Sequence, residues 1–262
     1  MPLKTMNGLE FILAAGAMGL KRVQLCENLG FADESIEVLK KWAQVAAMRS
    51  IEVEIGMNGL SLENVLRHLR ICEVFDAGFL RVVLGQGQSA GDGRLNHFIR
   101  ILSDLAPVLE TAGVKIGVEN HFDLTTREIA AILDKVNHPM IGAVFDSTNA
   151  IGFIEKPADT LALLSPRLLS VHLKDYRIYK AEASYVMTGS VIGEGRQDVR
   201  ALVRIIMASH PDMNFILEMT VKRREGLSVE EAIEEEKRQI SVSLDNLNHI
   251  LVTEGNACSN SR

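Results

Sequence analysis

The stretch Val114–His121, VKIGVENH, begins with a short apolar run and ends with three polar residues, Glu119, Asn120 and His121. A continuous apolar run of this length, rich in Val and Ile, is typical of a strand that is buried on both faces. A carboxylate at the end of such a strand is costly unless it is paired or binds a metal. The stretch therefore predicts a buried strand that delivers Glu119 to a functional site.

The same pattern recurs in three further stretches, which deliver Asp146, His172 and Glu218 at predicted strand ends: Ile141–Asn149 (IGAVFDSTN), Leu168–Asp175 (LLSVHLKD) and Phe215–Thr220 (FILEMT). Asp146 follows Glu119 by 27 residues, and His172 follows Asp146 by 26. Each gap is close to one strand–helix unit, so we expect the four side chains at one end of a parallel sheet. The longer gap before Glu218 contains Tyr176–Arg196, which we predict to be an enlarged, irregular loop over the site.

Strands and helices alternate along the chain. The predicted strands are Arg22–Cys26, Ile51–Ile55, Phe79–Leu84, Val114–Glu119, Ile141–Asp146, Leu168–Leu173 and Phe215–Glu218. The predicted helices are Gly8–Gly19, a helix capped by Asp33 that runs to Met48, Ser61–Ala77, Leu95–Thr111, Thr126–Val136, Lys156–Leu164, Asp198–Ser209 and Ser228–Leu251. The glycine-rich GQGQSAGDG after Leu84 is read as a flexible loop rather than as a phosphate cradle, because no helix starts directly after it.

Eight helices favour a (β/α)8 TIM barrel, whose functional residues lie at the C-terminal strand ends. A doubly wound open sheet is the alternative, and it is disfavoured because no G-x-G-x-x-G follows the first strand. Only seven strands are found. The opening MPLKT is too short and polar for another strand, so strand 1 of the barrel is predicted to be missing or degenerate, which would leave Arg22–Cys26 at an edge.

Composition narrows the class of protein. The chain has 262 residues, of which 47% are hydrophobic, and a formal net charge of −6. This length suits one barrel domain, residues 1–262 with a frayed tail at 254–262. The acidic charge argues against nucleic acid as a partner. No apolar run reaches the length of a membrane span and no signal peptide is evident, so a cytoplasmic protein without a membrane partner is expected.

Three carboxylates and one imidazole form a hard, anionic ligand set for one divalent metal ion. Such a set favours Mn²⁺ or Mg²⁺, with Zn²⁺ or Co²⁺ also possible. The alternative is that each residue is only a polar group at a strand end. His121 is left open between a site contact and a merely polar residue. The three cysteines, Cys26, Cys72 and Cys258, have neither a zinc-site spacing nor the pattern of a disulfide framework.

Several motifs carry a family resemblance: VENHFDLT, VFDSTN, VHLKD, IGEGRQD, the glutamate that ends the last strand, and VQLCEN near the start. Together they resemble the sugar phosphate isomerase/epimerase superfamily, the xylose isomerase-like TIM barrels, over roughly residues 9–250. The resemblance implies that Glu119, Asp146, His172 and Glu218 bind one divalent metal. It also implies that Glu119 and Glu218 act as the acid/base pair on opposite faces of a bound sugar.

The resemblance further suggests a set of substrate contacts: His121, Asn149, Lys174, Asp175 and Arg196. Asn149 occupies a place where the family often has a His or Asn that touches the substrate. Glu194, in the GEG turn, is expected to order the loop. Ketose 3-epimerases tend to carry an arginine six positions after the histidine ligand, where this chain has Ile178, so the narrower epimerase assignment stays open.

The function implied by this resemblance is metal-dependent isomerisation or epimerisation of a small sugar, keto-sugar or polyol through an enediolate. A lyase of the same superfamily, such as a dehydratase or a 3-keto-glycoside-cleaving enzyme, is the first alternative. A non-catalytic barrel subunit is the second, and phosphodiester hydrolysis is disfavoured because it needs more histidine ligands. The expected partner is a small-molecule sugar, with a homo-oligomer as an open possibility.

Overall fold

The computed structural model describes residues 6–85, 92–221, 224 and 226–259. Residues 86–91 of the predicted loop GQGQSAGDG (Gly85–Gly93) and the last three residues of the predicted tail lie outside these ranges. The last two residues of that loop, Asp92 and Gly93, already belong to a helix, so the expectation that no helix starts there was wrong. By its internal contacts the chain forms two compact units. The N-terminal unit comprises Pro2–Phe145 and Ala162–Leu169, and the C-terminal unit comprises Asp146–Leu161 and Ser170–Arg262.

Helices and strands alternate as the sequence predicts. The helices are α1 (Gly8–Ala17), α2 (Ile36–Met48), α3 (Leu62–Phe75), α4 (Asp92–Ala112), α5 (Thr126–Val136), α6 (Pro157–Leu164), α7 (Val199–Ser209) and α8 (Val229–Ser259). The strands are β1 (Arg22–Leu25), β2 (Glu52–Asn58), β3 (Phe79–Val83), β4 (Lys115–Glu119), β5 (Ile141–Asp146), β6 (Leu168–Leu173), β7 (Asp175–Ala181), β8 (Ser184–Ser190) and β9 (Phe215–Leu217).

Seven strands form one sheet in the order β1-β2-β3-β4-β5-β6-β9. Registered pairs in this sheet are parallel, with Gln24 opposite Glu54 in β1–β2, and Glu119 opposite Val144 in β4–β5. Within the described residues no strand precedes α1, so the sheet begins with β1 at an edge, in agreement with the predicted absence of a first strand. Parallel strands have their carboxyl ends on the same side of the sheet, and the predicted ligands lie at these strand ends.

The core of the N-terminal unit comes from strand residues on both faces of the sheet and from one apolar stripe of each helix. Its buried residues include Leu25, Ile55, Leu80 and Ile116 on strands, and Leu39, Leu69, Leu102 and Ile132 on helices. Helices α1, α2, α3 and α5 start at side-chain caps, because the first N–H groups of a helix lack partners within it. Ser35, rather than the predicted Asp33, caps α2 by accepting from the Val38 N–H.

The connection after β6 corrects one prediction. Tyr176–Arg196 was expected to be irregular, but β7 and β8 form an antiparallel two-stranded hairpin within it. Most of its residues are exposed, and Glu182 at the turn has a positive φ of 40°. The hairpin therefore buries no apolar face of its own, and the alternation by which a half-buried strand is recognised in a sequence is missing.

The end of the chain corrects another prediction. Helix α8 continues to Ser259 instead of ending at Leu251, and Glu254, within the predicted frayed tail, is only 2% exposed. Its carboxylate accepts from Arg200 at 2.9 Å and from Arg204 at 2.7 Å, which ties α8 to α7. No helix in the described part of the chain combines the length and the apolar character needed to cross a bilayer.

Candidate metal centre

The ends of β5, β6 and β9 are joined by hydrogen bonds that fix their polar side chains. His172 lies opposite Ile216 in the β6–β9 pairing, and the next step of the ladder is the Glu218 N–H donating to the Leu173 carbonyl at 3.0 Å. The Ser147 N–H donates to the His172 carbonyl at 3.1 Å. The pairing of these strand ends therefore places Asp146, His172 and Glu218 next to one another.

The structure brings the four predicted metal ligands together. Glu119, Asp146, His172 and Glu218 each offer one ligand atom, and these atoms all lie within 4.8 Å of one another. Asp146 and Glu119 are buried, as is His172, whereas the side chain of Glu218 is 40% accessible. A group this compact can bind a single ion, and its accessible member marks the side from which a substrate can approach.

Asp146 uses its two carboxylate oxygens differently. Oδ1 accepts from the Thr148 N–H at 2.8 Å, the Thr148 hydroxyl at 3.2 Å and the Asn149 N–H at 2.8 Å. Oδ2 faces the ammonium of Lys174 at 2.9 Å. The turn after β5 thus fixes the carboxylate through Oδ1, and Oδ2 is the oxygen that points to a cation.

Glu218 is also held between two groups. Its Oε2 lies 2.9 Å from Nδ1 of His172, and its Oε1 lies 2.7 Å from Nζ of Lys174. Partial burial alone would raise the pKa of this carboxyl, but the hydrogen bond from His172 and the positive charge of Lys174 outweigh it and hold the pKa well below its usual range. Glu218 is therefore ionised at neutral pH, the form that a metal ligand or a proton acceptor needs.

Glu119 has an arginine partner that sequence reasoning missed. Nε of Arg81, in the middle of β3, donates to Oε2 of Glu119, and Nη1 of Arg81 donates to Asn58 at 3.1 Å. The arginine is itself buried, at 7% exposure. The sequence did contain a signal for this pair, because Arg81 is the single charged residue in the otherwise apolar strand FLRVV. A buried guanidinium requires a buried acceptor.

The donor set fits a hard divalent cation. Three carboxylates carry more negative charge than the ammonium of Lys174 and the guanidinium of Arg81 supply, and the imidazole of His172 can remain neutral as a ligand. Oxygen-rich sets with one histidine suit Mg²⁺ and Mn²⁺, and Zn²⁺ is also compatible. A cluster of buried acidic residues and a histidine that can bind a metal is therefore present, without a preference for one ion.

Two of the predicted substrate contacts lie at this cluster. Nζ of Lys174 approaches Oδ1 of Asn149 at 3.4 Å in addition to its two carboxylates. Asn149 is buried, and its position follows from its own N–H bond to Asp146. Their roles in substrate binding remain predictions.

The carboxylate of Asp175 is bonded to backbone N–H groups, and its predicted substrate contact stays a prediction. Its Oδ1 accepts from the N–H groups of Tyr176 and Gln197 at 2.7 and 3.0 Å, and its Oδ2 accepts from those of Gly193 and Gly195 at 2.9 Å each. Four backbone donors occupy the carboxylate, so it orders the 193–197 loop. A Cβ on Gly195 would lie 2.0 Å from Oδ1, which explains the glycine there.

The remaining predicted contacts, His121 and Arg196, have other partners. Nδ1 of His121 is 3.8 Å from Asp123, and its ring packs edge-on against Phe122. Arg196 is exposed, and its backbone N–H donates to the Tyr176 carbonyl at 2.8 Å. Their substrate contacts stay predictions. The expected ordering role of Glu194 is supported by an ion pair with Arg177 at 3.1 Å.

Comparison with known proteins gives a family match and a distant relative. The model of the xylose isomerase-like TIM barrel family matches residues 14–241. A 3-oxo-isoapionate decarboxylase of Pectobacterium atrosepticum is 24% identical over 197 residues, which cover 74% of this chain and 71% of that protein. Residues 14–241, which the family model matches, contain all four candidate ligands.

Solved structures share the fold at low sequence identity. A xylose isomerase domain protein from Planctomyces limnophilus has a TM-score of 0.75 at 13% identity, with 94% of this chain and 93% of that chain covered. The D-psicose 3-epimerase of Clostridium cellulolyticum H10 has a TM-score of 0.72 at 13% identity, covering 93% of both chains. A xylose isomerase-like TIM barrel protein from Mycobacterium smegmatis in complex with magnesium has a TM-score of 0.66 at 15% identity, covering 90% and 88%.

Proposed function

The chain belongs to the xylose isomerase-like TIM barrel family, and from this premise we propose that it is a divalent-metal-dependent isomerase or epimerase of a small polyhydroxylated carbonyl compound. The observation that carries the proposal is the convergence of Glu119, Asp146, His172 and Glu218 at strand ends. The family contains enzymes that act on sugars and sugar acids, as the names of the epimerase and the decarboxylase above indicate.

In this proposal the four convergent side chains hold one ion, with Mn²⁺ or Mg²⁺ favoured over Zn²⁺ and Co²⁺. Such an ion would polarise a substrate carbonyl next to a hydroxyl and acidify the adjacent C–H bond. The accessible carboxylate of Glu218 then accepts the proton, since it is ionised at neutral pH and lies on the approachable side of the cluster. Glu119, buried and paired with Arg81, is assigned the delivery of a proton from its own side; it first takes up that proton from solvent, and Glu218 releases the abstracted proton to solvent.

Lys174 and Asn149 are proposed to orient the substrate. An ammonium and a side-chain amide next to the ligands can donate to hydroxyl or carboxylate oxygens of a polyhydroxylated molecule. Both are held by the turn after β5: Asn149 through Asp146, and Lys174 through its N–H donating to the Ser147 hydroxyl at 2.9 Å. Holding donors in a fixed geometry lowers the entropic cost of reaching a reactive alignment.

The direct test follows hydrogen exchange in D₂O by NMR with Mn²⁺-loaded and chelator-treated protein and a panel of keto-sugars and sugar acids. We expect metal-dependent deuterium incorporation at the carbon next to the carbonyl and accumulation of an epimer or an isomer. Glu218→Gln keeps the size of the side chain but removes the proton acceptor, and should lower turnover about a hundred- to a thousandfold. Turnover that survives this change on a verified substrate would show that Glu218 is not the base.

A lyase is the second candidate, and one observation favours it. The relative matched over three quarters of this chain is a decarboxylase, and its substrate, a 3-oxo acid, has a carbonyl placed to stabilise the negative charge left by a departing group. The same site would then cleave a carbon–carbon bond, with the enolate left by CO₂ taking up a proton, or expel water or an alcohol after proton removal. Release of CO₂, water or an aglycone in the NMR assay supports this candidate, whereas exchange without loss of a group supports the first.

A further inference from the structure

Lys174 has an unusual environment for a residue beside a cation site. Its ammonium lies 2.9 Å from Oδ2 of Asp146, 2.7 Å from Oε1 of Glu218 and 3.4 Å from Oδ1 of Asn149. Only 15% of its side chain is accessible. Its backbone is fixed on both sides of the peptide by Ser147, whose hydroxyl donates to the Lys174 carbonyl at 3.1 Å and accepts from its N–H at 2.9 Å.

The oxygens that Lys174 contacts are the ones a metal ion would use. Oδ1 of Asp146 already accepts three bonds from its own turn, so Oδ2 is the oxygen left to face an ion. The same reasoning applies to Glu218, where Oε2 contacts His172 and Oε1 contacts the lysine. A protein cation and a metal cation therefore compete for the same two carboxylates.

We propose that Lys174 is an internal counter-cation that a metal ion displaces from Asp146 and Glu218, so that the lysine stabilises the metal-free protein and weakens metal binding. The inference rests on the proposed metal-dependent function, which supplies the ion. It follows from charge: two cations at one pair of carboxylates repel each other, and an ammonium on a flexible stem can move where an ion cannot. After displacement the ammonium faces away from its carboxylates and can meet an anionic oxygen of the substrate.

Metal titration tests this competition directly. Isothermal titration calorimetry with Mn²⁺ compares wild type, Lys174→Met and Lys180→Met, which removes an exposed lysine of β7. Because methionine keeps the stem and removes the charge, we expect Lys174→Met to bind Mn²⁺ roughly tenfold more tightly or better. Lys180→Met should match wild type.

Thermal unfolding with and without Mn²⁺ distinguishes a displaced counter-cation from a lysine that only stabilises the fold. Lys174→Met should melt at a lower temperature than wild type without metal, and show a larger upward shift of its melting temperature with saturating Mn²⁺. A lysine that only supports the fold would instead lower metal affinity along with stability. If Lys174→Met does not fold, Lys174→Gln removes the same charge, keeps a hydrogen-bond donor, and carries the same expectation.

The outcomes separate the two proposals. Equal or weaker Mn²⁺ binding by both lysine variants overturns the displaced counter-cation and leaves the metal-dependent function standing. Wild type that binds none of Mn²⁺, Mg²⁺, Co²⁺ and Zn²⁺ overturns the metal-dependent function, and the lysine inference with it. Tighter binding by the variants, with wild-type affinity for Lys180→Met, supports the displacement.

Discussion

Two sites in the C-terminal unit place carboxylates next to cationic side chains, and their charge balance differs. Between α7 and α8, the single carboxylate of Glu254 meets two guanidiniums, Arg200 and Arg204. At the strand ends, the carboxylates of Asp146 and Glu218 share one ammonium, that of Lys174. The first site is complete without a ligand, whereas the second has more anionic oxygens than cations.

The difference explains why one cluster is structural and the other is a candidate active centre. A buried carboxylate that already has two cationic partners stabilises the contact between two helices and gains nothing from an ion. Two carboxylates that share one ammonium leave a net negative charge at the site, which a divalent ion would neutralise. An excess of buried charge, more than the presence of charge, marks the functional site in this molecule.

The largest effect is expected from removing a charge of the candidate metal centre. In Asp146→Asn, the remaining side-chain oxygen can still accept the three hydrogen bonds from the turn after β5. The other oxygen, which faces Lys174, is replaced by an uncharged NH₂ group. We expect Mn²⁺ affinity and kcat/KM each to fall by on the order of a hundred- to a thousandfold, with little loss of helical signal. Calorimetry, the NMR assay and circular dichroism measure the three quantities.

Asp212→Asn, at an exposed aspartate of the loop before β9, is the matched control and should behave like wild type. Full metal affinity in Asp146→Asn would mean that this carboxylate is only a structural group, and the contrast with Glu254 would then disappear.

An intermediate effect is expected at Asp175, which orders a loop without belonging to the ligand set. Asp175→Asn replaces one of the two carboxylate oxygens with a donor, so two of the four N–H groups lose their acceptor, and residues 193–197 should loosen. We expect kcat/KM to fall about 10- to 100-fold, with Mn²⁺ affinity changed much less. Hydrogen exchange by mass spectrometry should show faster exchange of peptides that contain the loop. Unchanged exchange would contradict the ordering role.

The smallest effect on activity is expected at Glu254. Glu254→Gln should lower the melting temperature by a few degrees at pH 7 and leave kcat/KM within about twofold of wild type. Hydrogen bonds from Arg204, then from Arg200, hold the pKa of Glu254 below its usual range. Its contribution to stability is therefore present above the pKa of the unfolded chain and is lost as the pH falls through the lower pKa of the folded state.

The melting temperatures of wild type and Glu254→Gln should accordingly converge as the pH falls below about 4. Differential scanning fluorimetry across a pH series measures this convergence. A gap that stays constant down to pH 3 would show that the carboxylate contributes through packing and not through its charge.

The strand–helix alternation and the ligand set were predictable from sequence because both depend on local pattern. Apolar runs that end in Glu119, Asp146, His172 and Glu218 identify buried strands and their polar ends. The spacing between the first three of these residues indicates one strand–helix unit per step. The seven parallel strands and the grouping of the four ligands agree with that prediction. The hairpin β7–β8 was missed because its residues are exposed on both faces and its turn lacks the Gly or Asn that usually marks one.

Contacts made by long cationic side chains were not predictable in the same way. Lys174 and Arg81 reach their carboxylates through three or four rotatable bonds, and their partners are set by tertiary placement and not by spacing. The bonds from the 193–197 loop to Asp175 were not predictable either, because they join residues about 20 positions apart through the folded loop.

The attachment of the β7–β8 hairpin at Asp175 makes the hairpin a separable module. Its first residue is bound to the loop at 193–197, and its last, Ser190, lies opposite that same aspartate in the antiparallel pairing. Changes in length at the tip, between Ala181 and Ser184, are therefore not transmitted to the chain that carries Lys174. The tip of this hairpin can therefore be lengthened or shortened in evolution or by design while Asp175 keeps its bonds to the loop at 193–197.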